Sequence, residues 1–327
     1  MCIFLSYRVV SQKLNVILQQ INEQRNLICM KRILIIIALT VVTLGASAQL
    51  LYRISGRGLA SPSYILGTYH LAPVTFVDSI PGLRRAMDEC MQTYGELLTS
   101  QMANADSVAL LQQAMMLPDG MTIDKLLSAD EMARLNAYMN KLLGMDLTNP
   151  LLSQQMGRMN PMALSTNLSL LAFVKKNGAP SGFDEYFQKE SLAHGKGVGG
   201  LESMSSQIHT LFKSMTLERQ KVLLMCQVDN ADLYDEMTEA IIRAFFAQNI
   251  DAVKEAMDIT LNNSCDSTPE EEDVMINNRN ANWVEKMPTL MMLRPTLFAV
   301  GAAHLPGEKG VLNLLRQVGY TVEGVVE

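Results

Sequence analysis

Two stretches far apart in the chain follow the same pattern, SYILGTYHLAP at residues 63–73 and TLFAVGAAHLPG at residues 296–307. In each stretch an apolar run leads to a glycine, and a His-Leu pair begins three residues after that glycine. Short apolar runs bounded by glycine and proline predict buried β-strands. His70 and His304 are therefore expected just beyond the carboxyl ends of two strands.

The segments around these two strands predict one sheet that uses both ends of the chain. Helical patterns fill residues from about 105 to 178 and from about 205 to 290. The sequence thus predicts an α/β fold with α+β character, in which a mixed central β-sheet is flanked by helices and carries large helical insertions. The predicted strands are residues 50–55, 63–67 and 92–98, a short strand leading to Leu201, and residues 296–301 and 321–326. The predicted helices include 81–91, 215–246 and 308–318.

The first 48 residues have the pattern of a leader rather than of a folded domain. Lys31-Arg32, the apolar run 33–44 and Ala46-Ser47-Ala48 match the three parts of a signal peptide, and Met30 is the expected true start. The alternative is an uncleaved membrane anchor, although the apolar run is short for a bilayer span. We therefore expect an exported, periplasmic protein, or one anchored to the membrane and facing the periplasm, with a single domain at 49–327.

Charge and cysteine content exclude several classes of protein. The net charge is −6, and the chain carries no polybasic segment after the leader, so a nucleic-acid partner is not expected. Cys90, Cys226 and Cys265 are scattered without the spacing of a zinc knuckle or a disulfide framework. One disulfide bridge remains possible in an oxidising compartment.

The two Gly-x-x-His loops are the best candidates for a site. Ligand sites of α/β proteins lie beyond the carboxyl ends of strands, and Gly67 and Gly301 permit the close backbone approach that such loops need. Neutral imidazole is the commonest side-chain metal ligand, so two converging loops could supply half of a metal shell. The alternative is that each histidine makes only structural contacts. The other histidines lack this context and are expected to be non-catalytic: His194 and His209.

Carboxylates are the second requirement of a hydrolytic metal site, as ligands or as a base for water. Glu96 is the leading candidate, because a carboxylate within a predicted strand is costly to bury without a compensating cation. Asp184 and Glu202 are further candidates. Arg279 could stabilise an anionic intermediate or a substrate carboxylate, or it could form an ordinary surface salt bridge.

An ordered set of motifs extends over nearly the whole of residues 49–327. It comprises Leu51-Tyr52-Arg53-Ile54-Ser55-Gly56, Pro62 to Leu71, Glu96, Gly182-Phe183-Asp184, Leu201-Glu202, Arg279-Asn280, Val300 to Gly310 and Gly319-Tyr320. This set resembles the TraB/PrgY/GumN family, and through it the Tiki metalloproteases and the erythromycin-esterase/ChaN-like proteins. The resemblance implies an α/β sheet with helical insertions and, from the Tiki proteins, Mn- or Co-supported hydrolysis of peptide bonds.

The resemblance also implies roles for individual residues. His70, Glu96 and His304 match the metal and catalytic positions of the family, and Arg279 matches its motif arginine. Tyr69 stands where isoleucine is commoner, and the acidic residue that often follows the motif glutamate is absent here, which argues against a two-metal centre.

These observations together predict an exported metal-dependent hydrolase, specifically a peptidase acting on peptides or proteins with Mn, Co or Zn as cofactor. The alternative is a protein of the same fold that binds a peptide, haem or another small ligand without chemistry. Membrane contact is expected only through the signal peptide or an uncleaved anchor.

Overall fold

Six strands form one mixed sheet in the computed structural model, which describes residues 49–326. The leader predicted at residues 1–48 lies outside the described residues. The strand order is β4-β3-β5-β2-β1-β6, in which β4, β3, β5 and β2 are parallel and β1 is antiparallel to both its neighbours. This architecture confirms the predicted α/β fold class. The strands are β1 Leu51–Ser55, β2 Ser63–Thr68, β3 Gln92–Gly95, β4 Gly197–Gly200, β5 Thr296–Gly301 and β6 Thr321–Gly324.

The two strands of the repeated pattern are neighbours at the centre of the sheet. Every residue of β2 is buried, and all of β5 is buried except Gly301, as expected for parallel strands covered on both faces. In the register of this pair Thr68 lies opposite Gly301. The loops that carry His70 and His304 therefore leave the same edge of the sheet side by side.

Helices fill the two long connections between strands, one from β3 to β4 and the other from β4 to β5, as the predicted helical insertions require. The helix at the end of the second connection contains a π-helical segment at Asp273–Asn277. The described α-helices are Leu83–Glu89, Thr99–Met102, Ala105–Met115, Ile123–Leu126, Ala129–Leu143, Pro150–Met156, Pro161–Asn177, Phe183–Ala193, Met204–Phe212, Leu217–Asp229, Ala231–Phe246, Ile250–Met257, Pro269–Glu272, Asn278–Leu293 and Val311–Gln317.

Several predicted elements differ from the observed ones by a few residues at their ends, and two of these differences bear on the site and the insertions. The single helix predicted at 215–246 is divided at Asn230, whose backbone leaves the helical region (φ −121°, ψ 35°). The strand predicted at 92–98 ends at Gly95, so Glu96 lies just beyond it. The pairing of this strand with β5 ends at Gly95 and Ala299, and beyond it the Gly301 N–H donates to the Glu96 side chain.

The helical insertions have a hydrophobic core of their own and a covalent link. Apolar side chains from the helices between 123 and 168 pack against Leu224 and Met225. Cys226 and Cys265 form a disulfide, so the bridge that the sequence left open is present, whereas Cys90 is a buried free thiol. No helix within 49–326 combines the length and apolarity that a membrane crossing requires.

Candidate functional site

The carboxyl ends of the four parallel strands bring the predicted site residues to one edge of the sheet. In sheet order, Glu202 follows β4, Glu96 follows β3, His304 follows β5 and His70 follows β2. A cavity of about 480 Å³ lies at this edge, and Glu96, His70 and His304 all line it. The structure therefore brings together residues that are more than two hundred positions apart in the chain.

His304 is held as a neutral imidazole by two neighbours on one helix. Its Nε2 atom lies 3.0 Å from Arg279 Nη1, and its Nδ1 atom lies 2.7 Å from Asn280 Oδ1. Because a guanidinium can only donate, Nε2 must accept, and the ring hydrogen resides on Nδ1. Burial lowers the pKa of His304 to about 4, since only 4 % of the residue is exposed.

His70 has the opposite environment. Its side chain is 68 % exposed, and Nδ1 lies 2.7 Å from Asp184 Oδ2, while the other carboxylate oxygen of Asp184 accepts from Thr68 Oγ1. The hydrogen bond to Asp184 raises the pKa of His70 to about 9. Within residues 49–326, the His70 Nε2 atom has no hydrogen-bond partner.

Glu96 is a nearly buried carboxylate with its side chain 12 % exposed. Its Oε1 accepts from the Gly301 N–H at 2.8 Å, and its Oε2 accepts from Arg279 Nη2 at 2.7 Å and from Gln207 Nε2 at 3.1 Å. Burial opposes ionisation, but the positive charges of Arg279 and protonated His70, together with the Gly301 N–H, outweigh it and lower the pKa of Glu96. The carboxylate is therefore ionised at neutral pH.

Arg279 connects the acidic groups and is itself saturated. Its Nε and Nη2 donate to both oxygens of Glu202, Nη2 also donates to Glu96, and Nη1 donates to His304 Nε2 and to the Met275 carbonyl. These contacts use all five N–H donors of a guanidinium. Arg279 can thus reach a substrate only if it exchanges one of these bonds, so that its direct role is to hold the carboxylates and His304 in place.

The π-helical segment explains how the helix presents Arg279. An inserted π turn rotates the residues that follow it, and such turns are frequent at functional sites. Here the turn Asp273–Asn277 precedes Arg279 and exposes the Met275 carbonyl to its guanidinium at 3.0 Å. Asp273 also accepts from Lys309 Nζ at 2.7 Å and from Asn277 Nδ2 at 2.8 Å, which ties this turn to the segment after His304.

The loop glycines permit close packing at the strand ends. A Cβ atom at Gly67 would stand 2.9 Å from Leu305 Cδ1 and 3.1 Å from Ala302 Cα. One at Gly301 would stand 3.2 Å from Glu96 Oε1. Neither glycine has positive φ, so the requirement at both positions is space rather than an unusual backbone conformation.

Asp184 and Glu202 are both part of the site, as partners of His70 and Arg279 respectively. The two histidines set aside, His194 and His209, are exposed and do not line the cavity. Sequence reasoning missed three polar residues that complete the network: Thr68, Gln207 and Asn280.

In the sequence, only its position next to Arg279 could have indicated Asn280 as a site residue. No sequence pattern indicated Gln207, which donates to Glu96 and to Glu202 from a different helix. No group of three or more His, Cys, Asp or Glu side chains in the described part of the chain is already arranged as a set of metal ligands. His304 Nε2 and Glu96 Oε1 lie 4.0 Å apart.

Comparison with known proteins places the chain in a family. The model of the TraB/PrgY/gumN family matches residues 50–324, which include all six strands and every site residue described above. No curated protein and no solved structure matched the chain in the corresponding searches. The match covers most of the 327 residues, and the protein therefore belongs to the TraB/PrgY/gumN family.

Proposed function

We propose that this protein is an exported metal-dependent hydrolase that acts on peptides or proteins. The observation that carries the proposal is the matched arrangement of two histidines on neighbouring parallel strands. Each imidazole directs its Nδ1 atom to a side-chain oxygen, that of Asp184 for His70 and that of Asn280 for His304. Nε2 is then the ring atom available as a metal ligand in both.

The donor set suits a divalent ion of the Mn, Co or Zn type. Two imidazoles and one carboxylate, here His70, His304 and Glu96, are a common protein shell in hydrolytic sites. Metal-binding histidines usually donate their other ring hydrogen to a carboxylate or carbonyl oxygen, as both do here. Because Arg279 donates to His304 Nε2, that hydrogen bond must break before His304 can bind an ion.

Charge at the strand edge also favours a cation. Four carboxylates, those of Glu96, Asp184, Glu185 and Glu202, face two cationic groups, Arg279 and protonated His70. This excess of negative charge favours binding of a divalent cation. A cation bound there would also replace the proton of His70.

Each residue of the site has a distinct task in hydrolysis. Glu96 is ionised and either binds the ion or accepts the proton that the attacking water loses, while Gly301 and Gln207 hold its two oxygens. Arg279 keeps Glu96 and Glu202 in position. A bound divalent ion supplies Lewis-acid chemistry, in that it polarises a carbonyl group and makes water more acidic.

The proposal of export has one structural support outside the leader. Disulfides persist in oxidising compartments such as the bacterial periplasm and are rare in the cytosol. The Cys226–Cys265 bridge is therefore consistent with a mature protein that faces the periplasm.

The second candidate is ligand binding without chemistry, and the saturation of Arg279 favours it. Its five hydrogen bonds satisfy Glu96, Glu202 and His304 within the protein, so the network is complete before any ion binds. A site of this kind could hold a peptide, haem or another small ligand in the same cavity.

Turnover distinguishes the two candidates. The full chain is incubated with a peptide library, and cleavage is followed by mass spectrometry with EDTA and after addition of Mn, Co or Zn. A hydrolase loses cleavage with EDTA and regains it with metal, and Glu96→Gln loses at least about 100-fold in rate because its general base is gone.

Glu308→Gln is the matched control, since Glu308 is an exposed glutamate four residues after His304 and outside the cavity. Its rate should equal that of the wild type. Absence of cleavage under every metal condition, with stoichiometric binding of a peptide that survives Glu96→Gln, would favour the binding protein.

A further inference from the structure

The cavity at the strand edge has two chemically different halves. The charged groups, including His70, Glu96 and Arg279, come from the strand ends and the helices next to them. A second part of the lining, the apolar wall, comes from the insertion helices Met204–Phe212, Ala231–Phe246 and Ile250–Met257 and is apolar apart from Gln207. Its apolar members are Leu211, Ile241, Phe245, Val253 and Met257.

The side chains of this wall range from fully buried to exposed. Phe245 and Val253 are 1 % and 2 % exposed and belong to the main hydrophobic core. Leu211 and Ile241 are partly exposed, and Met257 is 41 % exposed. A ligand in the cavity can therefore contact an apolar surface as well as Glu96 and the two histidines.

From this division we infer that the apolar wall is a specificity subsite for an apolar side chain of a peptide substrate. The peptide bond to be cleaved would lie next to it, at the carboxyl ends of the parallel strands. A charged side chain is excluded, because the wall offers no cation or carboxylate to replace its lost water. The volume of about 480 Å³ is in the range of sites that enclose most of a small ligand. The inference uses the proposed function to locate the reactive bond, but the subsite itself is a matter of binding.

Ile241 is the residue that tests the subsite, and Ile242 is its matched control. Both are partly buried isoleucines on the same helix, but only Ile241 lines the cavity. A Ser substitution at either position removes the same amount of apolar side chain. If only Ile241→Ser loses specificity, the loss comes from the changed lining of the cavity and not from a disturbed helix.

The experiment measures binding of three synthetic peptides, Ac-Gly-Gly-X-Gly-Gly-NH2 with X as Leu, Gly or Asp, by isothermal titration calorimetry. EDTA is present to suppress metal-dependent cleavage. We expect the Leu peptide to bind the full chain at least about tenfold more tightly than the Gly peptide, and the Asp peptide to bind more weakly than either. Ile241→Ser should reduce the Leu-to-Gly ratio at least about threefold, whereas Ile242→Ser should leave it unchanged.

Equal affinities for the Leu and Gly peptides, no measurable binding of any peptide, or an equal loss in both variants would overturn the inference. If Ile241→Ser does not fold by circular dichroism, Met257→Ser replaces it. Met292→Ser is then the control, since Met292 is 61 % exposed and outside the cavity.

Cleavage of the same peptides without EDTA separates this inference from the proposed function. A Leu preference in binding without cleavage would refute the hydrolase and keep the subsite. Cleavage without a Leu preference would keep the hydrolase and refute the subsite.

Discussion

The two Gly-x-x-His loops share a local sequence and a position at the sheet edge, but they hold their histidines in opposite states. His70 is exposed and paired with the carboxylate of Asp184, which raises its pKa to about 9. His304 is buried between Asn280 and Arg279, and burial lowers its pKa to about 4.

The difference shows that the repeated motif determines where an imidazole stands, whereas its neighbours determine its charge. The neighbours of His304 lie on the helix after the π-helical segment, and the neighbour of His70 begins the Phe183–Ala193 helix. One loop thus holds a neutral ring whose Nε2 lone pair accepts from Arg279, and the other holds a cationic ring that would have to lose its proton to bind a metal ion.

Removal of Arg279 should have the largest effect on the free energy of unfolding. It tests whether the loop that carries His304 is stabilised by the Arg279 guanidinium. Arg279→Ala leaves Glu96 and Glu202 buried without their cation, so the free energy of unfolding in urea should fall by about 3–5 kcal/mol. Arg134→Ala, which breaks a surface pair with Asp130 and Asp229, should change it little. Equal losses would mean that the second loop does not rely on a buried ion network.

Loss of the disulfide should have the next largest effect on the free energy of unfolding. The bridge spans 39 residues and anchors the segment before the helix that carries Arg279 and Asn280. Replacing both Cys226 and Cys265 by Ser should lower the free energy of unfolding by about 2–4 kcal/mol. A reducing agent should destabilise the wild type in the same assay and leave the double variant unaffected; a wild type that ignores the reductant would contradict this expectation.

Substitutions of the two histidine partners sharpen the comparison between the loops. Asn280→Ala removes the acceptor of His304 and the donor to the Lys309 carbonyl in a buried position, which should cost about 1–3 kcal/mol in urea unfolding. Asp184→Asn removes a partly exposed pair and should cost less than about 1 kcal/mol. The reverse order would contradict the contrast in burial.

The dependence of stability on pH is the most specific test of this comparison. NMR titration of the ring protons should give a pKa of about 9 for His70 and about 4 for His304, and Asp184→Asn should lower only the first. The His70 pair stabilises the folded chain fully below about pH 6.5 and loses this contribution as pH rises through about 9.

The contribution of His304 to stability depends on pH in the opposite direction. The unfolded chain takes up a proton that the folded chain refuses, so stability falls as pH decreases from about 6.5 to about 4. Similar pKa values for both rings would remove the difference between the loops.

Much of this contrast could not be predicted from the sequence. The strand at 296–301 and the convergence of His70, Glu96 and His304 follow from short apolar runs and strand-end glycines, which are local patterns. Asn280 and Gln207 reach the site from helices whose approach depends on tertiary packing. The π turn and the division at Asn230 likewise leave no mark on hydrophobic periodicity.

The two loops are proposed to bind one divalent ion between them, and a titration with Mn²⁺ followed by electron paramagnetic resonance tests this most directly. The wild type should bind one ion per chain. His70→Ala and His304→Ala should each weaken binding at least about tenfold, while the exposed controls His194→Ala and His209→Ala should not change it. Unchanged Mn²⁺ affinity in both His70→Ala and His304→Ala would contradict the account.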